Sequence, residues 1–530
     1  MQHMKKTNRV AFVGFLAATA LVLTGCSGAA TDAPAASIAP GKIEAPLVGG
    51  DLLIARAGDA ITMNSTASQF NNNSIYVFQQ LGESLFIVSA DGQDLEPLLA
   101  TGYTVSEDGL TYTIKLREGV QFSDGTPMTA KDVKFSIDQD TKSAETGWGY
   151  VNAAIKEVSV IDDSTVNVGL NYPWAPIIAD LSMFSNAIIP ENYGGKTADQ
   201  FYEAPVGTGP FMWGEWKKGQ SLTLVKNPNY WVRGKPYLDS VTWNVVPDAN
   251  TRKLQLQGGQ IDIDTMPDWS SFAALESSPG VKVYAFPSTQ HDFVEINQHR
   301  APFDDVHIRR AIAFSVDREA LVDAVLFGNG TSANSLLSPG TPFYDKDAAG
   351  PQFDLEKAKA ELAKSSKPNG FSTTLLIRSG DANRASVAQI MKAELEEIGI
   401  IVEIKQLEAT AALQADIDSD FDMILSGWTM DIPDPDQWTS FALDPAGGAN
   451  STSTFYNNPK AIAINKLAQQ EADLTKRAAL YKELQQVTGD DAFLTYLYYS
   501  PFAYASTDKV HGFHVTPLGN YHVENIHKSN

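Results

Sequence analysis

The sequence predicts an α/β protein of about three compact units, and three observations carry that reading. The chain has 530 residues, where a domain takes about 150. Its second half alternates helix-periodic segments with short apolar runs, the order that builds a parallel sheet. Its composition is 43% apolar, with 63 acidic residues against 40 basic ones, enough to fill sizeable cores beneath an acidic surface. The net charge of −23 argues against nucleic acid and anionic membrane as partners, since both repel such a surface.

The N-terminus stands outside this pattern. Lys5, Lys6 and Arg9 precede an apolar run from Val10 to Leu23, 14 residues long, where a bilayer span needs about 20. Residues 1–25 therefore read as a secretory signal. Its end, Leu23-Thr24-Gly25-Cys26, resembles the lipobox of bacterial lipoproteins, which implies that Cys26 is lipidated and begins the mature chain. Cys26 is the only cysteine, so intrachain disulfides are excluded and stability rests on apolar cores. Residues 26–49, rich in Ala, Pro, Gly and Ser, read as a flexible tether.

Asp51 to Arg56 is the first strand. Val77, Phe78, Leu81 and Leu85 have helical spacing and predict a helix from Ile75 to Leu85. Leu110 to Leu116 alternates with period two after the turn Glu107-Asp108-Gly109, and Val158 to Leu170 reads as a hairpin turning at Asp162-Asp163-Ser164. Leu222 and Leu224 mark another strand. Past Gln290 the character changes. Helices are expected over Ile308 to Phe314, Arg318 to Phe327 and Asp354 to Lys364, the last capped by Asp354. A βαβαβ unit follows: strand Thr374 to Ile377, a helix burying Val387, Met391, Leu395 and Ile398, strand Ile401 to Gln406, a short helix, and a strand at Phe421. Ala461 to Val487 holds a helix pair. The apolar run Ala492 to Tyr499 is expected to return the chain to its first half.

The segment Phe421 to Trp438 reads as a strand emptying into a loop that Pro433 and Pro435 keep irregular. Ligands of open α/β sheets sit beyond the carboxyl ends of strands, which puts Trp428 and Asp431 on a cleft wall. A solvated acidic turn, with Trp428 in the core, satisfies the same residues.

Four stretches resemble the extracytoplasmic solute-binding proteins of ABC importers, in the dipeptide, oligopeptide and nickel binding family. They are Leu98 to Ile137, with Phe122-Ser-Asp124-Gly125-Thr126-Pro127; Pro205 to Phe211, continuing through Asn227-Pro-Asn-Tyr230-Trp231; Val294 to Asn297 through Val316-Asp317-Arg318; and Gly427-Trp428 to Asp434-Pro435. The resemblance implies a two-lobed fold of the type II periplasmic-binding-protein kind (the large cluster C), with an extra subdomain in the first lobe. The lobes would cover 50–290, with a return at about 500–530, and 291–499. It also implies a secreted, lipid-anchored monomer on the outer face of the cytoplasmic membrane. Such a protein passes a small solute, foremost a di- or oligopeptide, to permease subunits without catalysis or cofactor.

The resemblance assigns Asp431 to the ligand's α-ammonium. Asp434 and Asp436 read as turn or capping residues. Trp428 and Trp438 either line the pocket or pack in the core. Arg378, at a strand end, is the candidate for a ligand carboxylate, and a plain surface arginine is the alternative. Asn64 stands where relatives often carry Leu-Asp-Pro in a stretch that faces the cleft, so it joins the ligand-binding set. An oligosaccharide is the second ligand class, given nine tryptophans and eighteen tyrosines. Ser506 and Lys509 have the spacing of a serine hydrolase pair, but no Lys-Thr-Gly or Ser-Asp-Asn partner accompanies them. His511, His514, His522 and His527 lie among apolar neighbours that suggest packing, so no metal site is expected.

Overall fold

The computed structural model describes residues 46–68, 70–143, 147–348, 350–445 and 451–529. The expected signal, the lipid-bearing Cys26 and the tether as far as residue 45 lie outside them. Two large sheets, one per lobe, carry the described residues. The first runs in the spatial order Val281–Phe286, Phe502–Thr507, Ile263–Thr265, Asp51–Arg56, Ser240–Val245, Ser221–Lys226, Phe211–Lys217. The second runs Thr331–Ser332, Leu494–Tyr499, His291–Ile296, Met423–Trp428, Phe371–Arg378, Ile400–Leu407. An antiparallel four-stranded sheet, Ala100–Val105, Thr111–Leu116, Thr165–Leu170 and Ile155–Asp162, adds the extra subdomain. The helix Ala130–Lys142 closes its core through Val133 and Ile137, and its Thr129 and Asp132 form a capping box.

The βαβαβ order does produce parallel pairing. Phe371–Arg378 lies parallel to both Ile400–Leu407 and Met423–Trp428. Asp381 caps the intervening helix Ala382–Glu396 by accepting the Arg384 N–H at 2.9 Å, and Val387, Met391 and Leu395 bury its inner face. Two antiparallel strands, His291–Ile296 and Leu494–Tyr499, complete the sheet centre, so it is mixed rather than wholly parallel.

Two expectations change. Leu494–Tyr499 belongs to the second sheet, and the strand that returns to the first is Phe502–Thr507. Both are apolar, because a strand at the centre of either sheet is covered on both faces, so hydropathy alone does not tell them apart. The helix expected over Ile75 to Leu85 spans only Asn72–Phe78. The Gln80 and Leu81 carbonyls instead accept the Phe211 and Gly209 N–H groups at 3.0 and 2.8 Å, which stops the helix.

The chain crosses between the sheets at 287–290 and again at 500–501. The crossings are neighbours: Phe286 pairs with Phe502 on one side, and His291 with Tyr499 on the other. Pro287 and Pro501 interrupt the ladder between those pairs, and the Ser288 hydroxyl donates to the Ser500 carbonyl.

The family-like motifs have structural work. A Cβ on Gly207 would stand 2.1 Å from the Leu81 carbonyl oxygen, and one on Gly209 2.6 Å from that of Gln80. Arg318, fully buried, donates to the carbonyls of Tyr496, Val316 and Ala313 and pins its helix to the second sheet. Gly207→Ala is therefore expected to cost more than about 2 kcal/mol, since backbone must move to admit the methyl group. Urea denaturation would show it as a lowered midpoint at unchanged slope.

Candidate functional site

The strand Met423–Trp428 is paired on both edges, and its first half, Met423 to Leu425, is buried. Beyond it the loop 429–435 runs into the first lobe. Ile432 is fully buried in an apolar cluster with Phe70, Ile75, Phe78, Val151 and Phe184. The Ala175 N–H donates to the Gln469 carbonyl at 2.7 Å, tying the same two lobes together. The lobes are thus closed on one another.

Asp431 is enclosed by this closure. Its Oδ2 accepts from the Gln437 side-chain amide at 2.9 Å, and the Gln437 Oε1 accepts the Asp431 N–H at 2.7 Å. No basic side chain forms an ion pair with it among the described residues. Burial pushes its carboxyl up to about 7. Tyr76 and Tyr150, from the first lobe, feel its charge, and among the described residues the Tyr150 hydroxyl and the Trp148 Nε1 are buried without a formed hydrogen bond. The Tyr150 hydroxyl is thus a polar group close to a buried carboxyl with bonding capacity to spare.

The neighbouring aspartates are otherwise engaged: Asp434 makes a turn bond but also a buried ion pair, and neither caps the helix Asp436–Leu443 with its side chain. Asp434 meets Arg477 in a buried two-pronged ion pair at 2.6 and 2.8 Å and accepts the Asp436 N–H at 2.9 Å. Asp436 accepts from Ser440 at 2.5 Å and from Gln469 at 2.9 Å. Asp180 of the first lobe faces this group, with Trp174 Nε1 donating to it at 2.7 Å.

Trp428 and Trp438 stack with ring centres 5.0 Å apart, and Phe441 lies 4.7 Å from Trp428. Trp438 is 2% exposed and donates to the Leu336 carbonyl, so it is a core residue whose edge backs a cavity. Trp428 is only partly buried, and its Nε1 has no partner. Both border a cavity of about 410 Å³ together with Arg378, Glu295, Asp416 and Phe441. Arg378 is exposed at its rim and makes no hydrogen bond or ion pair among the described residues. Asn64 is less available: its Oδ1 accepts from the N–H and hydroxyl of Thr66 in a local turn. That turn sets Ala67 against Gly147, beside Trp148.

Sequence reading missed Gln437, Trp148, Tyr150, Glu295 and Asp416. Glu295 had a signal, a charge inside the apolar run Phe293-Val294-Glu295-Ile296. Gln437 had none. Ser506 is fully buried mid-strand, with its hydroxyl 3.2 Å from that of Tyr284 and 3.0 Å from the Thr507 carbonyl. His511 stacks on His527 at 5.2 Å, whereas His514 reaches the Ala90 carbonyl and His522 pairs with Glu524.

The sequence model of the bacterial extracellular solute-binding proteins, family 5 middle, matches residues 94–450. The chain is similar to the probable D,D-dipeptide-binding periplasmic protein DdpA of Escherichia coli strain K12, 30% identical over 481 residues, 88% of this chain and 92% of that one. It is also similar to heme-binding protein A of Haemophilus influenzae, 30% identical over 456 residues, 80% of this chain and 82% of that one. Among solved structures it is similar to the periplasmic binding protein DppA of Helicobacter pylori in complex with the peptide STSA. That likeness has a TM-score of 0.83 and 27% identity, and covers 91% of this chain and 99% of that one.

In this closed arrangement burial, the first cause in each case, raises the Asp431 carboxyl to about 7 and Asp436 to about 6, and holds Asp180 well above its usual range. A carboxyl whose pKa rises on closing takes up a proton there, so closing is favoured as pH falls. Ligand-free protein is expected to contract between about pH 8 and pH 5, and Asp431→Asn to contract less. Small-angle scattering reads both.

Proposed function

The chain belongs to the bacterial extracellular solute-binding proteins of family 5, and from that premise we propose that it captures a di- or oligopeptide between its lobes and delivers it to the permease of an ABC importer. One observation carries the peptide reading: Asp431 is a carboxyl enclosed in the cleft with an amide on one side and no cation paired with it among the described residues. An α-ammonium supplies the missing charge, and its N–H groups can meet the carboxylate oxygens and the Tyr150 hydroxyl. A charge-assisted hydrogen bond of this kind contributes about 1.5–3 kcal/mol. Arg378, unpaired at the rim of the adjoining cavity, takes the ligand's carboxylate, and Trp428 offers an apolar face and a free N–H. Asn64 contributes through its amide N–H₂ only.

Binding proceeds by hinge closure at the paired crossings, with no covalent step. The lobes are 50–290 with 500–530, and 291–499. The protein is secreted across the cytoplasmic membrane, and the lipid on Cys26 holds it as a monomer on the outer face. The oligosaccharide alternative has less support, because Trp438 offers no free ring face. The Ser506 hydroxyl, sealed in a strand, gives a hydrolase reading nothing to work with.

Peptides with free termini are expected to raise the melting temperature by linkage. Asp431→Asn should abolish the shift, and Arg378→Gln should weaken affinity by about tenfold. N-acetylated peptides should fail on the native protein. If acetylated and free peptides bind alike by calorimetry, the ammonium role is refuted.

A further inference from the structure

The cavity beside Arg378 holds more negative charge than a peptide carboxylate calls for. Glu295, on the central strand His291–Ile296, is 4% exposed, and its Oε2 has no hydrogen-bond partner. Asp416, on the helix Ala409–Ile417, lies beside it and lines the same 410 Å³ space. The volume lies in the range of about 300–1,000 Å³ of small-molecule subsites. Its aromatic side is formed by Trp428 and Phe441, backed by the buried Trp438. Resting on the peptide reading above, we propose that this cavity receives a cationic side chain of the bound peptide, of lysine or arginine kind, and so makes the protein selective for basic peptides.

Charge balance within the cavity favours a cation. Three charged groups line the cavity, Glu295, Asp416 and Arg378. Arg384 also acts on Glu295, but its guanidinium is held by the Leu425 carbonyl at 3.0 Å and by Asp381 at 3.6 Å. Once Arg378 is committed to the ligand's carboxylate, the two acids have no counter-charge within the cavity. Burial, and then the charge of Asp416, hold Glu295 well above the usual carboxyl range, and burial raises Asp416 while Ser453 and Arg378 oppose it. Two close carboxyls raised in this way favour holding a proton while no cation lies between them. A ligand ammonium or guanidinium replaces that proton, which leaves to solvent, and lies against an aromatic face that attracts cations. A neutral side chain of equal length displaces nothing and leaves Glu295 unpaired.

The test is calorimetry on the full chain with tripeptides that differ at one position, lysine against norleucine against glutamate. Lysine is expected to bind at least about tenfold more tightly than norleucine at one position. The lysine peptide should release a proton, seen as a binding enthalpy that changes with the buffer's ionisation enthalpy. Glu295→Gln and, independently, Asp416→Asn should erase the proton release and the lysine preference, so that lysine and norleucine peptides bind each variant alike. Equal affinity for lysine and norleucine peptides at every position overturns the cationic subsite and leaves peptide capture standing. Failure of all the peptides to bind overturns both.

Discussion

The structure turns on two adjacent chain crossings. Phe286 faces Phe502 and His291 faces Tyr499 in what is nearly one continuous antiparallel ribbon, cut by Pro287 and Pro501. Because proline cannot donate to a ladder, the ribbon keeps its side-by-side order at the cut without being stiff there. A few residues can then absorb the rotation of one lobe against the other, as hinges do. Asp292 sits at this point, accepting from Ser500 at 3.0 Å, and burial pushes it up to about 6. The crossings hold the lobes in register, and what closes them must come from the cleft: the apolar seat of Ile432, the bond between Ala175 and Gln469, and the ligand.

The buried carboxylates sort by how they are paired. Asp434 has Arg477, held in turn by the Ala468 carbonyl at 2.8 Å, and the pair lies wholly within the second lobe. Asp264 has Arg252 at 2.7 Å inside the first. Such pairs repay their desolvation only when each charge has its partner in place, and both do so whatever occupies the cleft. Asp431 and Glu295 differ in kind, since neither forms an ion pair among the described residues, and Glu295 lines a cavity. A buried carboxyl without a counter-charge is costly, so its persistence beside a cavity favours a charge supplied from outside.

The amino-acid pattern made the second lobe's βαβαβ unit readable, because the Val387, Met391 and Leu395 stripe and the Asp381 cap speak in the local code of helices. It failed where partners are distant. The helix after Asn71 ends early for want of free carbonyls that Gly209 and Phe211 have taken, more than a hundred residues away. Leu494–Tyr499 and Phe502–Thr507 look alike in hydropathy, and only strand pairing separates their sheets. The position of Asp431, past the end of the strand Met423–Trp428, was legible. Tyr150 was not, since it belongs to the other lobe and meets Asp431 only when the lobes close; Gln437, six residues further along the same loop, carried no signal of its own.

Parallel pairing explains why cation and anion stand at one cleft. Met423–Trp428 and Phe371–Arg378 run the same way as neighbours, with Leu375 opposite Met423 and Leu376 opposite Ile424. Parallel neighbours release their following loops at the same edge of the sheet. The strand ends therefore deliver Arg378 and Trp428 side by side, and the loop carrying Asp431 leaves from that edge. Glu295 arrives from the other direction, on the antiparallel strand where it pairs with Ile424, one ladder step from Met423. A parallel strand there would carry its own loop to the ligand edge; the antiparallel one brings a fixed, mid-strand side chain instead. Side chains on strands are held more firmly than those on loops, so the cavity is set by the sheet and the ammonium prong by the loop that closure seals.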